Sequence, residues 1–264
     1  MPDDDKTFPG GAFIAPEASI LSGLLLVGTV HDDPAGFQRV CRLLRCYRPR
    51  VILVEISPYS FAHRKAHGHA LRKSLSANVA AAAAEADMEP ERAARHPRIA
   101  GVRRQLGMPF EYRAGEAFSR EAGAELHAVD DSIFSRRWIS TWSDLISTRN
   151  LAILLSLSPE ARSTARAYEE ARRRIEGTAP STRQELREWS DEDEQLWRRR
   201  ERVLAENVTR VLTQSRPERS VYLGGWQRLV PDGRFPSLRR LLGVEPSRCL
   251  LLDRVEGIPG GAFA

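Results

Sequence analysis

What this 264-residue chain has little of already narrows what it can be. It holds three cysteines, Cys41, Cys46 and Cys249, an odd number without CxxC spacing, which excludes a disulfide framework and the common zinc or dithiol motifs. Reduced thiols in or near an apolar core are the expectation. Lysine is almost missing: Lys6, Lys65 and Lys73 stand among 40 basic residues, so nearly every cation is an arginine, which points to genome base composition rather than to selection for phosphate binding. The formal charge of +5 is interleaved with 35 acids and carries no aromatic-plus-arginine motif, so nucleic acid is not an expected partner. The longest later apolar run, LAILLSL at Leu151 to Leu157, falls far short of the ~20 residues a spanning helix needs, and MPDDDKTFPGG has no apolar h-region of a signal peptide. A soluble, cytoplasmic protein without a membrane partner is expected. A P-loop, a GxSxG elbow and a complete GxGxxG are also missing, which argues against nucleotide hydrolysis, serine esterase and dinucleotide-dehydrogenase chemistry.

What is present reads as a single α/β domain over residues 1–264. Five short runs, Gly23 to Val27, Val51 to Glu55, Glu125 to Asp130, Ser220 to Gly224 and Cys249 to Asp253, are continuously apolar rather than alternating, the pattern of strands in a parallel sheet covered by helices on both faces. Between the first two, Phe37, Val40, Cys41, Leu44 and Tyr47 recur at helical spacing, and Pro49 follows the last turn. The unit is a βαβ crossover. A similar unit recurs: LLLVGTVH (Leu24 to His31) lies over SVYLGGWQ (Ser220 to Gln227), and Phe37 to Glu55 lies over Phe235 to Asp253. The chain then divides into a first βαβ half (20–60), a helical segment (61–105), a helix and strand (106–135), a helical cap or middle insertion (140–215) and a second βαβ half (218–255). GTAPST at Gly177 to Thr182 reads as a loop, and in RRRERVLAENVTRVL an apolar stripe runs through Val203, Leu204, Val208, Val211 and Leu212.

In parallel α/β sheets ligands bind beyond the carboxyl ends of the strands. The five strands end at or just before His31, Glu55, Asp130, Gln227 and Asp253, so these polar groups are expected to share one edge. Gly28 and Gly224 would let the chain turn off its strand or let a ligand approach the backbone. A histidine with carboxylates can hold a divalent metal and its water, or act as general base and acid without one. The plainer alternatives are a capping role for His31 and an N–H-accepting role for Glu55. His63, His67 and His69 place imidazoles at i and i+4 beside Arg64, Lys65 and Arg72, which suits a solvated basic face, and the RRRER run from Arg198 suits the wet side of a helix.

The order of these motifs resembles the TraB/PrgY, GumN and Tiki superfamily, related in fold to erythromycin-esterase-like and ChaN-like proteins. Its first Gly-x-x-His is similar to Gly28-Thr29-Val30-His31, and its Val-Glu strand end to Val54-Glu55. A helix-opening glutamate twelve residues before a Gly-Ala, then a strand ending in Asp, is similar to Glu111, Gly123-Ala124 and Asp130. Arg200 before Leu204-Ala205 resembles an arginine before a Met-Ala pair. The second Gly-x-x-His is here Gly224-Gly225-Trp226-Gln227, and Asp131 stands where an arginine commonly follows the aspartate. The resemblance implies a duplicated α/β core, a divalent metal such as Mn²⁺, and peptidase activity or the handling of peptide signals.

Two readings follow. In the first the chain is a metal-dependent hydrolase of a peptide or another amide or ester, with His31, Glu55 and Glu111 as catalytic residues and metal ligands, and Gln227, Asp130, Arg200, Gly28 and Gly224 meeting substrate. In the second, motivated by Gln227 in place of imidazole, the same pocket binds a peptide or small molecule without turnover. Neither the substrate nor the oligomeric state is written in the sequence.

Overall fold

The computed structural model describes residues 17–158, 163–178, 190–231 and 236–257. Phe235, the end of the GTAPST stretch and the acidic start of the chain lie outside them. After a short helix α1 (Ala18–Leu21), the first unit is β1 (Leu24–Thr29), α2 (Gly36–Tyr47) and β2 (Val51–Val54). Helices α3 (Pro58–Glu85), α4 (Pro90–Ala94), α5 (Pro97–Leu106) and α6 (Phe110–Ala122) lead to β3 (Glu125–Ala128). Then come α7 (Ser132–Ser140), α8 (Trp142–Leu145), α9 (Thr148–Ser156), α10 (Thr164–Ile175) and α11 (Asp191–Ser215). The last unit is β4 (Ser220–Gly225), a 3-10 turn (Trp226–Leu229), α12 (Leu238–Leu242) and β5 (Cys249–Leu251).

The sheet is parallel throughout, in the order β3-β2-β4-β1-β5. All five expected strands and the helices on both faces are present. Alternate residues divide the core. Leu25, Val27, Ile52, Val54, Val221 and Leu223 face α2, α6 and α10, whereas Leu24, Leu26, Val51, Leu53 and Tyr222 face α11 and α12. With apolar groups on both faces, these strands read as unbroken hydrophobic runs.

The two βαβ halves interleave: β4 lies between β1 and β2, and β1 lies between β4 and β5. The residues aligned by the internal repeat are register partners, with Val27 opposite Leu223 and Gly28 opposite Gly224. Such partners face the same side of the sheet, yet α2 and α12 pack on opposite sides. A two-fold rotation along the strands would put equivalent residues on opposite faces. The halves therefore share element order without being rotational copies in that alignment. Connections leaving adjacent strands toward opposite faces open a crevice at their carboxyl ends.

Most of the cap comes from elements other than those expected over 140–215. Helices α3, α4, α5, α7, α8 and α9 form their own apolar cluster around Leu75, Ile99, Trp142 and Leu151. Of the 140–215 segment, α8 and α9 belong to this cap, while α10 and α11 cover the sheet through Tyr168 and Ala171 and through Leu204, Ala205 and Val208. Local chemistry starts the long helices: Ser57 caps α3 by accepting from Ser60 N–H at 2.9 Å ahead of Pro58, and Ser190 caps α11, whose first turn carries four acids. No helix among the described residues is long and apolar enough to cross a membrane.

Candidate functional site

The chain does not leave β1 at Gly28, as the motif had suggested. Gly28 and Thr29 stay paired with Gly224 and Gly225, and the turn comes at Val30 to Asp33. Gly28 lacks a Cβ because the Trp226 Cα would lie 2.9 Å from it. It thus lets the 3-10 turn pack down onto β1. The second acid of His31-Asp32-Asp33 anchors the turn: Asp33 is buried, accepts from Ala35 N–H at 2.9 Å, pairs with Arg39 at 2.7 Å and accepts from the Tyr168 hydroxyl at 2.9 Å. Tyr168 brings α10 against the site. Its own hydroxyl is pushed far up by burial, and by Asp33.

That turn presents His31. Its Nδ1 lies 3.0 Å from Glu111 Oε1, and the Thr29 hydroxyl donates to the same oxygen at 2.6 Å. Glu111 enters from the first turn of α6 and is 2% exposed, whereas the His31 ring is 62% exposed at the cleft. With Nδ1 engaged, Nε2 lies over Gly225. Burial opposes the charged imidazolium, but the hydrogen bond and charge of Glu111, then the charge of Glu55, outweigh it and raise the pKa to about 9. Glu111 Oε2 is buried without a partner among the described residues.

Glu55 continues the β2 ladder, its N–H donating to Leu223 O at 2.9 Å, and its carboxylate lies beneath this pair in a dense ionic network. One oxygen accepts from Arg228 Nη2 at 2.6 Å and Nε at 3.1 Å and from Arg200 Nη2 at 2.8 Å. The other accepts from the Tyr222 hydroxyl at 2.9 Å and Gly225 N–H at 2.7 Å. Arg200 also grips Asp130 through Nε at 2.9 Å and Nη2 at 2.7 Å, while Arg228 pairs with buried Glu201. Phe134 stacks on Arg200, and Trp197 stacks on both guanidiniums. Burial would raise the Glu55 pKa, but the charges of Arg228 and then Arg200 hold it well below the usual carboxylate range. Burial raises the Tyr222 hydroxyl, and the charge of Glu55 raises it further.

Two glycines make room for this arrangement. A Cβ at Gly224 would collide with Glu55 Oε2 and the Tyr222 hydroxyl. At Gly225 three polar atoms converge on the space a Cβ would fill: Gln227 Oε1 at 2.8 Å, His31 Nε2 at 3.2 Å and Glu55 Oε2 at 3.7 Å. The structure thus gathers His31, Glu55, Glu111, Asp130, Arg200 and Gln227. Gly28 and Gly224 are buried in packing roles and do not line the cleft. Asp253 stands apart, paired with Arg172 at 2.9 Å. The plain expectation that Glu55 accepts backbone N–H holds too, although its donor is Gly225.

Sequence reasoning passed over Gly225, Arg228 and Glu201. Glu201 was findable, because it precedes Leu204, Ala205 and Val208 by 3, 4 and 7 residues and so lies on the buried stripe of α11. Arg198, Arg199 and Arg202 are the wet side expected of the RRRER run, but Arg200 turns inward and is 12% exposed. His63 and His67 lie against each other at a tilt on α3, with His63 edge-on to Trp142, and take no part in the site.

Beyond His31 opens a cleft of about 720 Å³ between the carboxyl edge of the sheet and the helical cap, a size suited to a small molecule or a short peptide. Its floor includes Glu55, Glu111, Asp130 and Arg200, and its cap side includes Arg64, Val102, Ile139 and Leu154. The donors fit a divalent ion poorly. Among the described residues no group of three His, Cys, Asp or Glu side chains is placed to share one. Both Glu55 oxygens are already engaged by cationic or N–H and O–H donors, and Glu111 stands behind His31 rather than beside it. Two guanidiniums packed against Glu55 would repel a cation. Among known proteins the chain matches no family model, no curated protein and no solved structure.

Proposed function

We propose that the protein hydrolyses an amide or ester bond with His31 as general base, held by Glu111, and without a metal held by His31, Glu55 and Glu111. The observation that carries this reading is the carboxylate–histidine pair at the mouth of the cleft, with Nδ1 bound to buried Glu111, Nε2 over Gly225 and the ring 62% exposed. A carboxylate behind an imidazole fixes its orientation and stabilises the imidazolium that forms when it takes a proton. Water attacks the substrate carbonyl carbon as its proton passes to Nε2. The tetrahedral intermediate then expels the amine or alcohol, which takes that proton, leaving the carboxylic acid.

Arg200 is the candidate partner for the oxyanion. Its Nε and Nη2 donate to Asp130 and Glu55, while Nη1 donates to no protein group among the described residues and the residue lines the cleft. A fixed guanidinium there would stabilise charge where it develops. Gln227, beside Nε2, would orient the water or the scissile amide. The motif resemblance to the TraB/Tiki group supports the hydrolytic class and a peptide-like substrate.

Chromogenic esters and N-acyl anilides, assayed from pH 6 to pH 10 with chelator or with added Mn²⁺, test the proposal. Because Glu111 raises the pKa of His31, to about 9, the neutral base is a minor form at pH 7 and kcat/KM is expected to rise with pH toward that value. His31→Ala should lower it by about 10²- to 10⁴-fold. Strict dependence on Mn²⁺, or turnover untouched by His31→Ala, would overturn the mechanism. The second reading, binding without turnover, draws on the protonation of His31 at neutral pH. Ligand binding in the cleft with no hydrolysis anywhere in that pH range would establish it instead.

A further inference from the structure

The cleft carries a cation that the hydrolytic mechanism does not use. Arg64, on the second turn of α3, is half-buried and stacks on Trp142 at 4.7 Å. Its Nε donates to Ser60 Oγ at 3.0 Å and its Nη1 to the carbonyls of Gln105 and Gly107, which end α5. Among the described residues no carboxylate pairs with it, and no protein acceptor meets Nη2. The other cleft arginines differ. Arg200 is gripped by Asp130 and Glu55, Arg104 pairs with exposed Asp32 at 2.9 Å, and Arg98 donates to Ser158 O. Held by two carbonyls, a hydroxyl and an indole face, the Arg64 guanidinium is fixed in place and keeps one amino group for the cleft.

A fixed guanidinium with unengaged N–H donors is a receptor for a planar oxyanion. Beside it Val102, Ile139, Leu145 and Leu154 supply an apolar wall. We propose that Arg64 binds a free carboxylate of the substrate while this wall takes an adjoining apolar side chain. The cleft would then select acylated amino acids or the carboxyl-terminal residue of a peptide. The inference rests on the hydrolytic reading for the word substrate, but the subsite itself does not. Burial without a counter-charge also lowers the Arg64 pKa, to about 10, and a bound carboxylate would offset that loss.

Calorimetry with N-acetyl-L-leucine, N-acetyl-L-leucinamide and inorganic phosphate tests the subsite without turnover. The wild-type protein should bind the acid at least about tenfold more tightly than the amide. Arg64→Gln, which can still donate to the α5 carbonyls, should lose that preference, and Arg104→Gln should retain it. If Arg64→Gln fails to fold, Arg64→Lys, which keeps the charge but not the fork, should retain part of the preference. Equal binding of acid and amide, no binding of either at millimolar concentration, or a preference that survives in Arg64→Gln would each overturn the proposal. Phosphate bound more tightly than the acid, through Arg64, would overturn the carboxylate assignment. Acid preference without hydrolysis would sink only the catalytic reading, and hydrolysis without acid preference only this one.

Discussion

Replacing Glu55 with glutamine separates an ionic scaffold from a metal site, because the two arrangements predict opposite signs. In the structure the Glu55 side chain is 6% exposed, Arg228 is 3% exposed and Arg200 is 12% exposed, so little solvent is present to compensate a lost charge. Glutamine keeps one acceptor oxygen, but its amide nitrogen must face donors: either the guanidiniums, or the Tyr222 hydroxyl and Gly225 N–H. Leaving a buried charge without its counter-ion costs about 3–5 kcal/mol. For a chain of this size that corresponds to a fall in Tm of roughly 6–20 °C. Thermal unfolding at pH 7 in chelator, followed by circular dichroism, measures it. The pH dependence supplies a second check. The folded pKa of Glu55 is depressed, so its stabilisation is present above the unfolded value, about 4.3, and is lost as pH falls below it toward the much lower folded value. The gap between wild type and Glu55→Gln should therefore narrow on acidification below pH 4. A cluster of empty metal ligands behaves in the opposite way, since removing one negative charge relieves repulsion. Equal or higher stability of Glu55→Gln in chelator would refute the scaffold argument.

His31 has a raised folded pKa, so its ion pair with Glu111 stabilises fully below the unfolded value, about 6.5, and that contribution is lost as pH rises through about 9. Exposure of the ring limits it to at most about 1 kcal/mol, and the wild-type advantage over His31→Gln should vanish by pH 10; an NMR titration midpoint below 7 would contradict the assignment. Gly224→Ala drives a methyl group into the Glu55 and Tyr222 contact and should cost about 1–3 kcal/mol in urea unfolding, whereas a neutral result would mean the network can shift aside. Tyr168→Phe leaves buried Asp33 with one donor fewer and should cost about 1–3 kcal/mol, measured the same way.

The three central strands were legible because β1, β2 and β4 are buried on both faces and read as apolar runs; Val51 to Val54 needs no other signal, whereas the edge strand β3 is exposed to half-buried and carries Glu125 and His127. The carboxyl edge was legible for the same reason, since a polar group ending such a run must lie at the rim, as His31 and Glu55 do. Strand order was not legible. Both crossovers skip a strand, which depends on long-range packing, and this skipping makes the internal repeat a pair of neighbours. Which helices form the cap and which form the outer layer of the sheet was not legible, because amphipathic helices such as α9 and α11 have similar local patterns, and only tertiary contacts decide that one joins the cap while the other covers the sheet. Arg228 was missed because an arginine at the end of GGWQR looks solvent-bound in a linear reading, whereas the tight 3-10 turn folds it inward.

Gln227 looked like the residue on which activity turned, since it holds the place of a second imidazole. The structure moves the weight one position further along. Arg228 reaches Glu55 from the same turn, and Arg200 reaches it from α11, so two fixed guanidiniums bring to this carboxylate the double positive charge that a divalent ion would carry. Such charges are permanent at any working pH and cannot be removed by a chelator. They also cannot lower the pKa of a bound water by direct coordination as a metal does, so in the proposed mechanism proton removal falls to a side chain. His31 is the group at the cleft mouth able to do this, and Glu111, buried behind it, is what raises its basicity. In the proposed mechanism an arginine-built floor and a basic histidine act as one arrangement: the first supplies fixed positive charge, and the second supplies the base that the first cannot.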